Sequence, residues 1–408
     1  MSGTPEQQGQ GPEGPTGDPR VPGWEDNEAV QALSALAAAL DGLSEVTPAR
    51  RQAVAPADSA TGQLPLQHLD AHAGLARRWE EYRPRVRDRF VARDCPVCAE
   101  TRRTPWFDTQ DGYQYAICDG CRMVYISSVL PIDEWNTYYN TLPEARNALV
   151  DQMNVSVSEE SLVRDRERFG RYIDRLRAQG AAAPGSKLLD IGTFTGPCLR
   201  IAEERGLEAY GIEGIDEAVQ FGRRHYPGLK LFQGSAEDFS AAELAPPYDV
   251  ITLWETLEHT FDPVGVLQRA SALLRPGGWV AVTVPNAGNV QFTMLQPFCF
   301  YAIGGYLATG HVNMFSPRTL TAAFEKAGLK VRDVSTEFGT DWRQVLLFLQ
   351  HEFSRIHCYR NYLSDHAFTE SQQHRNSTIL NWLSPTLTRL ENACAAGPII
   401  LALAQKPA

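Results

Sequence analysis

The sequence predicts an α/β protein built on an open sheet, and three stretches of the chain carry this prediction. Residues 187–205 predict a short apolar strand, a tight glycine turn and an amphipathic helix. Residues 209–213 are a second apolar run that ends in an acid, and residues 248–255 are a buried run that ends in polar groups. Strands that alternate with helices are typical of the α/β class.

The glycine turn contains Asp190, Gly192 and Gly196. Glycine allows a positive φ and lets a ligand approach the backbone closely. Asp190 ends the strand, so we expect its carboxylate to point into the crevice above the sheet, where ligands bind in this class. A glycine turn alone is as often a plain strand-to-helix connection, so the prediction depends on the next hundred residues of the chain.

Polar groups also end the two other predicted strands named above, 209–213 and 248–255. Glu213 ends the second strand, and an acid at this position suits the paired hydroxyls of a ribose. Glu258 and His259 come directly after the strand at 248–255. The sequence therefore predicts several polar side chains at one edge of the sheet.

The remaining elements are predicted from hydrophobic periodicity and from glycine and proline punctuation. The expected helices are 161–179, a helix capped by Asp216 and running to about Tyr226, one that begins after Pro263, and 318–327 before Gly328; the expected strands are 229–232, 279–284, 329–335 and 398–405.

In order and spacing, residues 160–340 resemble the class I S-adenosylmethionine-dependent methyltransferases. They are most similar to the branch with the ubiquinone-biosynthesis O-methyltransferases and many bacterial small-molecule and glycan methyltransferases. The resemblance implies a Rossmann-like seven-stranded sheet that binds S-adenosylmethionine. The segment from His311 to Pro317 and the helix after it are similar to the end of the family's domain.

The resemblance also implies a set of cofactor-binding residues in the glycine turn and at the ends of later strands. Ala236 and Glu237 are expected to hold adenine, with Asp238 as the second choice and a plain helix-capping turn as the alternative. The predicted cofactor contacts are Asp190, Gly192, Thr193, Phe194, Gly196, Glu213, Gly214, Ala236, Glu237, Leu253, Trp254 and Glu255.

Phe194 is a departure from the family, because it stands where the family motif has its middle glycine. A ring at this position is expected to narrow the pocket or to tilt the methionine end of the cofactor. It also motivates an alternative hypothesis, in which the chain is a degenerate methyltransferase that binds ligands without catalysing a reaction.

Two Cys-x-x-Cys pairs lie ahead of this region, with nineteen residues between them. This spacing is typical of a zinc ribbon, in which two tight turns supply four thiolates to one tetrahedral ion. Four cysteine ligands leave no open position for water, so the zinc is expected to be structural. The alternative is two unrelated cysteine pairs. The predicted ligands are Cys95, Cys98, Cys118 and Cys121.

Composition predicts four regions along the chain. Residues 1–66 are rich in Gly, Pro and Gln and are expected to be mostly disordered. Residues 67–130 are expected to hold a helix and the ribbon, and 131–180 a helical lead-in over the cofactor crevice. Residues 181–408 are expected to be the methyltransferase core, with a helical insertion at about 340–396 that covers the substrate side or forms a homodimer.

The charge balance argues against nucleic acid and anionic membranes as partners. The chain of 408 residues has a net charge of −11 and a sequence pI of about 5.4. It lacks both an apolar run of about 20 residues and a basic-then-apolar leader, so a cytoplasmic location is expected. The arginine-rich stretch at 77–93 could contact phosphates, although a solvated helix face is the simpler interpretation.

His259 and His311 are the candidate general bases, because transfer of a methyl group to a hydroxyl or protonated amine requires removal of a proton. His259 is slightly favoured because a strand end fixes its position. Glu258 is expected to orient His259 or to cap the next helix.

The predicted function is methylation of a small molecule or glycan precursor in bacterial secondary metabolism, with oxygen as the favoured acceptor atom. The alternatives are an RNA methyltransferase that uses the ribbon to bind RNA, and a C- or N-methyltransferase of a natural product. The sequence does not choose the acceptor.

Overall fold

A computed structural model describes residues 87–108, 113–131, 143–239, 244, 246–289, 310–339 and 378–408. The predicted disorder of residues 1–66 and the first two thirds of the predicted helical insertion lie outside the described residues. Within the described ranges, the helices are α1 (Pro143–Ser156), α2 (Glu159–Ala178), α3 (Pro197–Glu204), α4 (Asp216–His225), α5 (Pro263–Leu273), α6 (Pro317–Lys326) and α7 (Thr378–Ala393).

In the part of the chain that the structure describes, the strands form three sheets. Those of the N-terminal part are β1 (Val91–Ala92), β2 (Arg103–Asp108), β3 (Gln114–Cys118), β4 (Val124–Ile126) and β5 (Ser128–Val129). The later strands are β6 (Lys187–Ile191), β7 (Glu208–Glu213), β8 (Lys230–Gln233), β9 (Tyr248–Trp254), β10 (Leu274–Pro285), β11 (Asn313–Met314), β12 (Lys330–Glu337) and β13 (Ile399–Gln405).

The main sheet has seven strands in the order β12-β13-β10-β9-β6-β7-β8. β13 runs antiparallel to both of its neighbours, whereas β8, β7, β6, β9 and β10 are parallel. The strand order reverses between β6 and β9, which is where open α/β sheets bind ligands. The predicted α/β class is confirmed.

The central strands are buried on both faces. Leu188, Leu189, Val250 and Ile251 have no exposed surface. Such continuous apolar runs are expected for parallel strands that have helices on both sides. The resulting rigid sheet fixes the positions of the polar residues at its carboxyl edge.

Two local predictions in this part of the chain are wrong. Asp216 does not cap α4, because Ile215 is the capping residue and Asp216 is the first residue of the helix. There its negative charge still interacts favourably with the positive end of the helix dipole. The predicted arginine-rich helix does not reach 93, since the chain forms a short 3-10 turn at Arg87–Arg89 and then β1.

The four-cysteine ribbon (residues 91–108 and 113–129) is joined to the main domain by a shared sheet. The sheet has the order β11-β4-β3-β2, and its first strand comes from the distant segment that contains His311. Asn313 pairs with Tyr125, and Met314 pairs with Val124. The ribbon is therefore attached to a loop at the carboxyl edge of the main sheet.

The described end of the predicted insertion is α7, which lies beside β12. Thr336 Oγ1 donates to Asn392 Oδ1 at 2.9 Å. Among the helices of the described ranges, none is long and apolar enough to cross a bilayer.

Candidate functional site

The glycine turn after β6 has the backbone that the sequence predicts. Gly192 and Gly196 have φ values of 78° and 91°. A Cβ at Gly192 would lie 2.3 Å from Thr256 Oγ1, so any larger residue would displace the chain after β9. Thr256 Oγ1 donates to the carbonyl of Ile191 at 3.1 Å. The turn and the end of β9 therefore form one closely packed unit.

Phe194 also has a positive φ of 53°, a conformation that costs a non-glycine residue about 1 kcal/mol. Its ring packs against a small apolar cluster that includes Met153 of α1 and Phe221 of α4. Its amide donates to Glu213 Oε2 at 2.8 Å. The ring of Phe194 thus packs against two helices, while its backbone amide forms the hydrogen bond to Glu213.

Glu213 lies at the end of β7 and is 8% exposed. One of its carboxylate oxygens accepts from Phe194 N, and the other accepts from Ile215 N at 2.9 Å. Burial raises the pKa of Glu213, and these amides act in the opposite direction. A carboxylate can accept about four hydrogen bonds. The amides therefore fix its orientation and leave acceptor capacity for a ligand with paired hydroxyls.

Asp190 does not extend into an open crevice, since it is 2% exposed. Thr252 Oγ1 of β9 donates to Asp190 Oδ1 at 2.6 Å. Burial raises the pKa of Asp190 to about 7. In this arrangement Asp190 links the end of β6 to β9.

The predicted adenine-binding acid is tied to the chain after β9. Glu237 Oε1 accepts from the amide of Phe261, and Glu237 N donates to Ser235 Oγ at 3.2 Å. Ala236 is partly buried and packs against the main core. One oxygen of Glu237 is therefore engaged inside the protein, and the predicted contact with adenine remains a prediction.

The last three predicted cofactor residues lie at the end of β9 or directly after it, in different environments. Leu253 is fully buried, and the Trp254 ring stacks on Tyr172 of α2 with centroids 4.9 Å apart. Glu255 is on the surface, where its Oε2 lies 3.4 Å from Arg168 Nη1. The side chains of Leu253 and Trp254 belong to the core, so a bound ligand would meet their backbone.

Glu258 is the most unusual acid near this edge. It lies in the 3-10 turn Leu257–His259 and is 1% exposed. Within the described part of the chain, neither of its carboxylate oxygens has a hydrogen-bond partner. Burial, and then the charge of Glu255, raises its pKa well above the ordinary value.

The two candidate histidines are in contact. The rings of His259 and His311 lie 4.7 Å apart and are nearly perpendicular. His259 Nδ1 is 3.1 Å from the carbonyl of Gly310, to which it donates, so Nε2 has a free lone pair. Nε2 lies 4.0 Å from Glu258 Oε1.

The pKa values of both histidines are lowered. The surrounding protein lowers the pKa of His259, although 43% of its side-chain surface is exposed. Burial and the neighbouring His259 lower the pKa of His311 to about 3. Both rings are therefore neutral at pH 7, and His259 is the stronger base.

Arg93 of the ribbon connects the segments that carry these histidines. Its guanidinium donates to the carbonyls of Phe261 and Val312, at 3.3 Å for Val312, and to Asn313 Oδ1 at 3.0 Å. Asn313 Nδ2 in turn donates to the carbonyl of Thr260 at 2.6 Å. Burial lowers the pKa of Arg93 to about 10, so it remains charged at neutral pH.

A second contact runs directly from the ribbon to a histidine. The hydroxyl of Tyr115 donates to the carbonyl of His311. Ile126 N donates to the carbonyl of Val312 at 3.0 Å. The ribbon therefore holds the His311 segment through backbone, side-chain and strand contacts.

The four predicted metal ligands lie together at one end of the ribbon. Their sulfur atoms are within 4.8 Å of one another, and all four thiols are free. The separations are 3.5 Å between Cys95 and Cys121 and 3.4 Å between Cys98 and Cys118. Four thiolates about 2.3 Å from one tetrahedral zinc ion would be about 3.8 Å apart, so the cluster fits this ion.

Arg93, Asn313 and Thr256 were not predicted from the sequence as functional residues. Arg93 was expected on a solvated face, and only its position two residues before Cys95 distinguishes it from its neighbours. Asn313 lies two residues after His311. Their partners are distant in sequence, which is why spacing did not reveal them.

Comparisons with known proteins identify a methyltransferase domain in this part of the chain. A family described as a methyltransferase domain matches residues 164–334. A ubiquinone biosynthesis O-methyltransferase from Aeromonas salmonicida is 32% identical, over 37% of this chain and 66% of the relative. One from Nitrosospira multiformis is 30% identical, over 40% of this chain and 69% of the relative. The chain thus spans about two thirds of the length of these relatives.

Among solved structures, a SAM-dependent methyltransferase from Archaeoglobus fulgidus matches 58% of this chain and 94% of its own. Its sequence identity is 16% and its TM-score is 0.37, so this likeness carries no argument about the site.

Replacing Arg93 by Met should lower the free energy of unfolding by about 1–3 kcal/mol, because several carbonyl groups lose a charged donor. Urea unfolding of the full chain measures this. The control is Arg102→Met, since Arg102 is 75% exposed and pairs with Glu100 on the surface. That variant should lose at most about 1 kcal/mol. Equal losses for the two variants would contradict the role of Arg93.

Proposed function

The chain belongs to the class I S-adenosylmethionine-dependent methyltransferases, and we propose that it methylates a hydroxyl of a small molecule or glycan precursor. One observation supports a hydroxyl as the methyl acceptor. His259, at the edge of the sheet, has its tautomer set by Gly310 and its Nε2 free to accept a proton. The relatives named above are O-methyltransferases.

The residues around the glycine turn fit the cofactor. S-adenosylmethionine, when bound, supplies a methyl group on a positively charged sulfur. Glu213 accepts hydrogen bonds from the two ribose hydroxyls, because its oxygens are already oriented by backbone amides. Gly192 keeps the turn closely packed against the chain after β9, since a Cβ there would collide with Thr256.

His259 removes the acceptor's proton during transfer. Its Nε2 takes this proton as the acceptor oxygen forms its bond to the methyl carbon and the carbon–sulfur bond breaks. Glu258 Oε1 lies 4.0 Å from Nε2 and helps to position the His259 ring. His311 packs edge-on against the His259 ring and limits its rotation.

The four-cysteine ribbon binds a structural zinc ion through Cys95, Cys98, Cys118 and Cys121. Support comes from the sulfur separations, which are close to those of a tetrahedral thiolate site. Because all four thiolates are used, the role of the ion is to hold the ribbon, and through it Arg93, in place.

The acceptor is proposed to be a metabolite of bacterial secondary metabolism, and the protein to be cytoplasmic. The RNA alternative is weakened by the net charge and by Arg93, which points to carbonyls of the main domain. Mass-spectrometric screening of metabolite extracts for a gain of one methyl group tests the proposal. A salt-sensitive RNA gel shift without any methylated metabolite would favour the alternative.

Replacing Glu213 by Ala should weaken binding of S-adenosylhomocysteine by about 1–3 kcal/mol, because two hydroxyls lose a buried partner. Calorimetry on the full chain measures this change. Glu217→Ala is the matched control, since Glu217 is an exposed acid in the next helix. Unchanged affinity of the Glu213 variant would remove the ribose assignment.

Replacing His259 by Ala should lower the rate by about 10²–10⁴-fold and leave cofactor affinity nearly unchanged. The wild-type rate should fall as the pH drops through the pKa of His259, because only the neutral ring accepts a proton. Since this pKa is lowered, the fall should lie below 6.5. His225→Ala, at an exposed histidine of α4, is the control. A full rate across pH 5–9 in the His259 variant would exclude this base.

A further inference from the structure

Phe194 connects the glycine turn to α1, the first helix of the described chain. Its ring belongs to a small apolar cluster that is separate from the two larger clusters on the main sheet. The other members of this cluster come from α1, from the link after it and from α4: Leu149, Met153, Val157, Ala218 and Phe221. The cluster therefore attaches α1 to the turn and to α4.

A hydrogen bond adds to this attachment at the end of α1. Ser156 Oγ lies 2.9 Å from Thr195 Oγ1. Ser156 Oγ donates to the carbonyl of Met153 at 2.7 Å, so Thr195 is the donor to Ser156. On the other side, a Cβ at Gly222 of α4 would lie 2.4 Å from the Thr195 carbonyl oxygen. The glycine turn is thus enclosed between α1 and α4.

The outer face of α1 lies in solvent. Val150 and Val155 are 43% and 50% exposed, although both are apolar. The inward contacts of α1 are with the small cluster and with Thr195. A helix with few buried apolar contacts can open at a low cost in free energy. The packing of the Phe194 ring therefore has a large influence on whether α1 is docked.

We propose that Phe194 is a positioning residue that docks α1 over bound S-adenosylmethionine, an inference that rests on the proposed function. The ring of Phe194 packs with α1, while its amide donates to Glu213, the carboxylate proposed to hold the ribose. One residue thus connects the ligand-binding acid and the helix. Cofactor binding should favour docked α1, and docked α1 should raise cofactor affinity by the same factor.

Hydrogen exchange on the full chain, with and without S-adenosylhomocysteine, tests this coupling. In wild type the ligand should slow the exchange of amides at 149–157 as well as at 187–213. Phe194→Gly removes the ring and keeps the amide that donates to Glu213. It also relieves the positive φ, so a loss of affinity cannot come from backbone strain.

In Phe194→Gly without ligand, amides at 149–157 should exchange faster than in wild type. Calorimetry should show that S-adenosylhomocysteine binds about 10-fold more weakly, as expected if α1 is docked in about one molecule in ten. Met153→Ala removes the partner from the side of α1 and should change both readouts in the same direction. Val150→Ala, at an exposed position of the same helix, is the control and should behave as wild type.

The outcomes separate this inference from the proposed function. Wild-type affinity and wild-type exchange at 149–157 in Phe194→Gly would overturn the inference. Slowing by the ligand at 187–213 alone would also overturn it and would leave the cofactor assignment standing. A ligand that slows exchange in no segment of the wild type would contradict the proposed function itself. If Phe194→Gly exchanges faster throughout 187–213, its fold is lost, and Met153→Ala decides.

Discussion

The guanidinium of Arg93 is the contact on which the acceptor side of the site depends. It donates to Phe261, Val312 and Asn313, and these belong to the two segments that carry His259 and His311. Both segments are short: one is a single 3-10 turn, and the other leads into a two-residue strand. A charged donor that satisfies several partly buried carbonyl groups at once holds them together, and its loss would leave those groups unpaired.

The cofactor side of the crevice has a different physical basis. Gly192, Thr256 and Glu213 are positioned by β6, β7 and β9, which are hydrogen-bonded neighbours in a buried sheet. All the residues that position this side of the crevice belong to the main domain. The side that carries the histidines also depends on the ribbon, because β11 pairs with β4 and the hydroxyl of Tyr115 donates to the carbonyl of His311. The structural zinc ion that we propose would therefore influence the chemistry without touching the substrate.

Local sequence patterns predicted most of the main sheet and much of the candidate site. The glycine turn, the acid that ends β7 and the four cysteines have positions set by spacing within about thirty residues, which sequence reasoning can trace. The position of Arg93 could not be predicted, because its acceptors lie 168 to 220 residues away along the chain. Asp216 illustrates the limited precision with which a sequence predicts helix ends, since a shift of one residue decides whether a side chain caps the helix.

Hydrogen exchange on the Cys98→Ser variant tests most directly whether the ribbon holds the histidine segments. Removal of one thiolate should weaken metal binding and open the ribbon. If Arg93 and β11 transmit this change, amides at 257–261 and 310–314 should lose protection together with those of the ribbon. Amides at 187–213 should remain protected. Loss of protection confined to residues 91–129 would contradict the coupling.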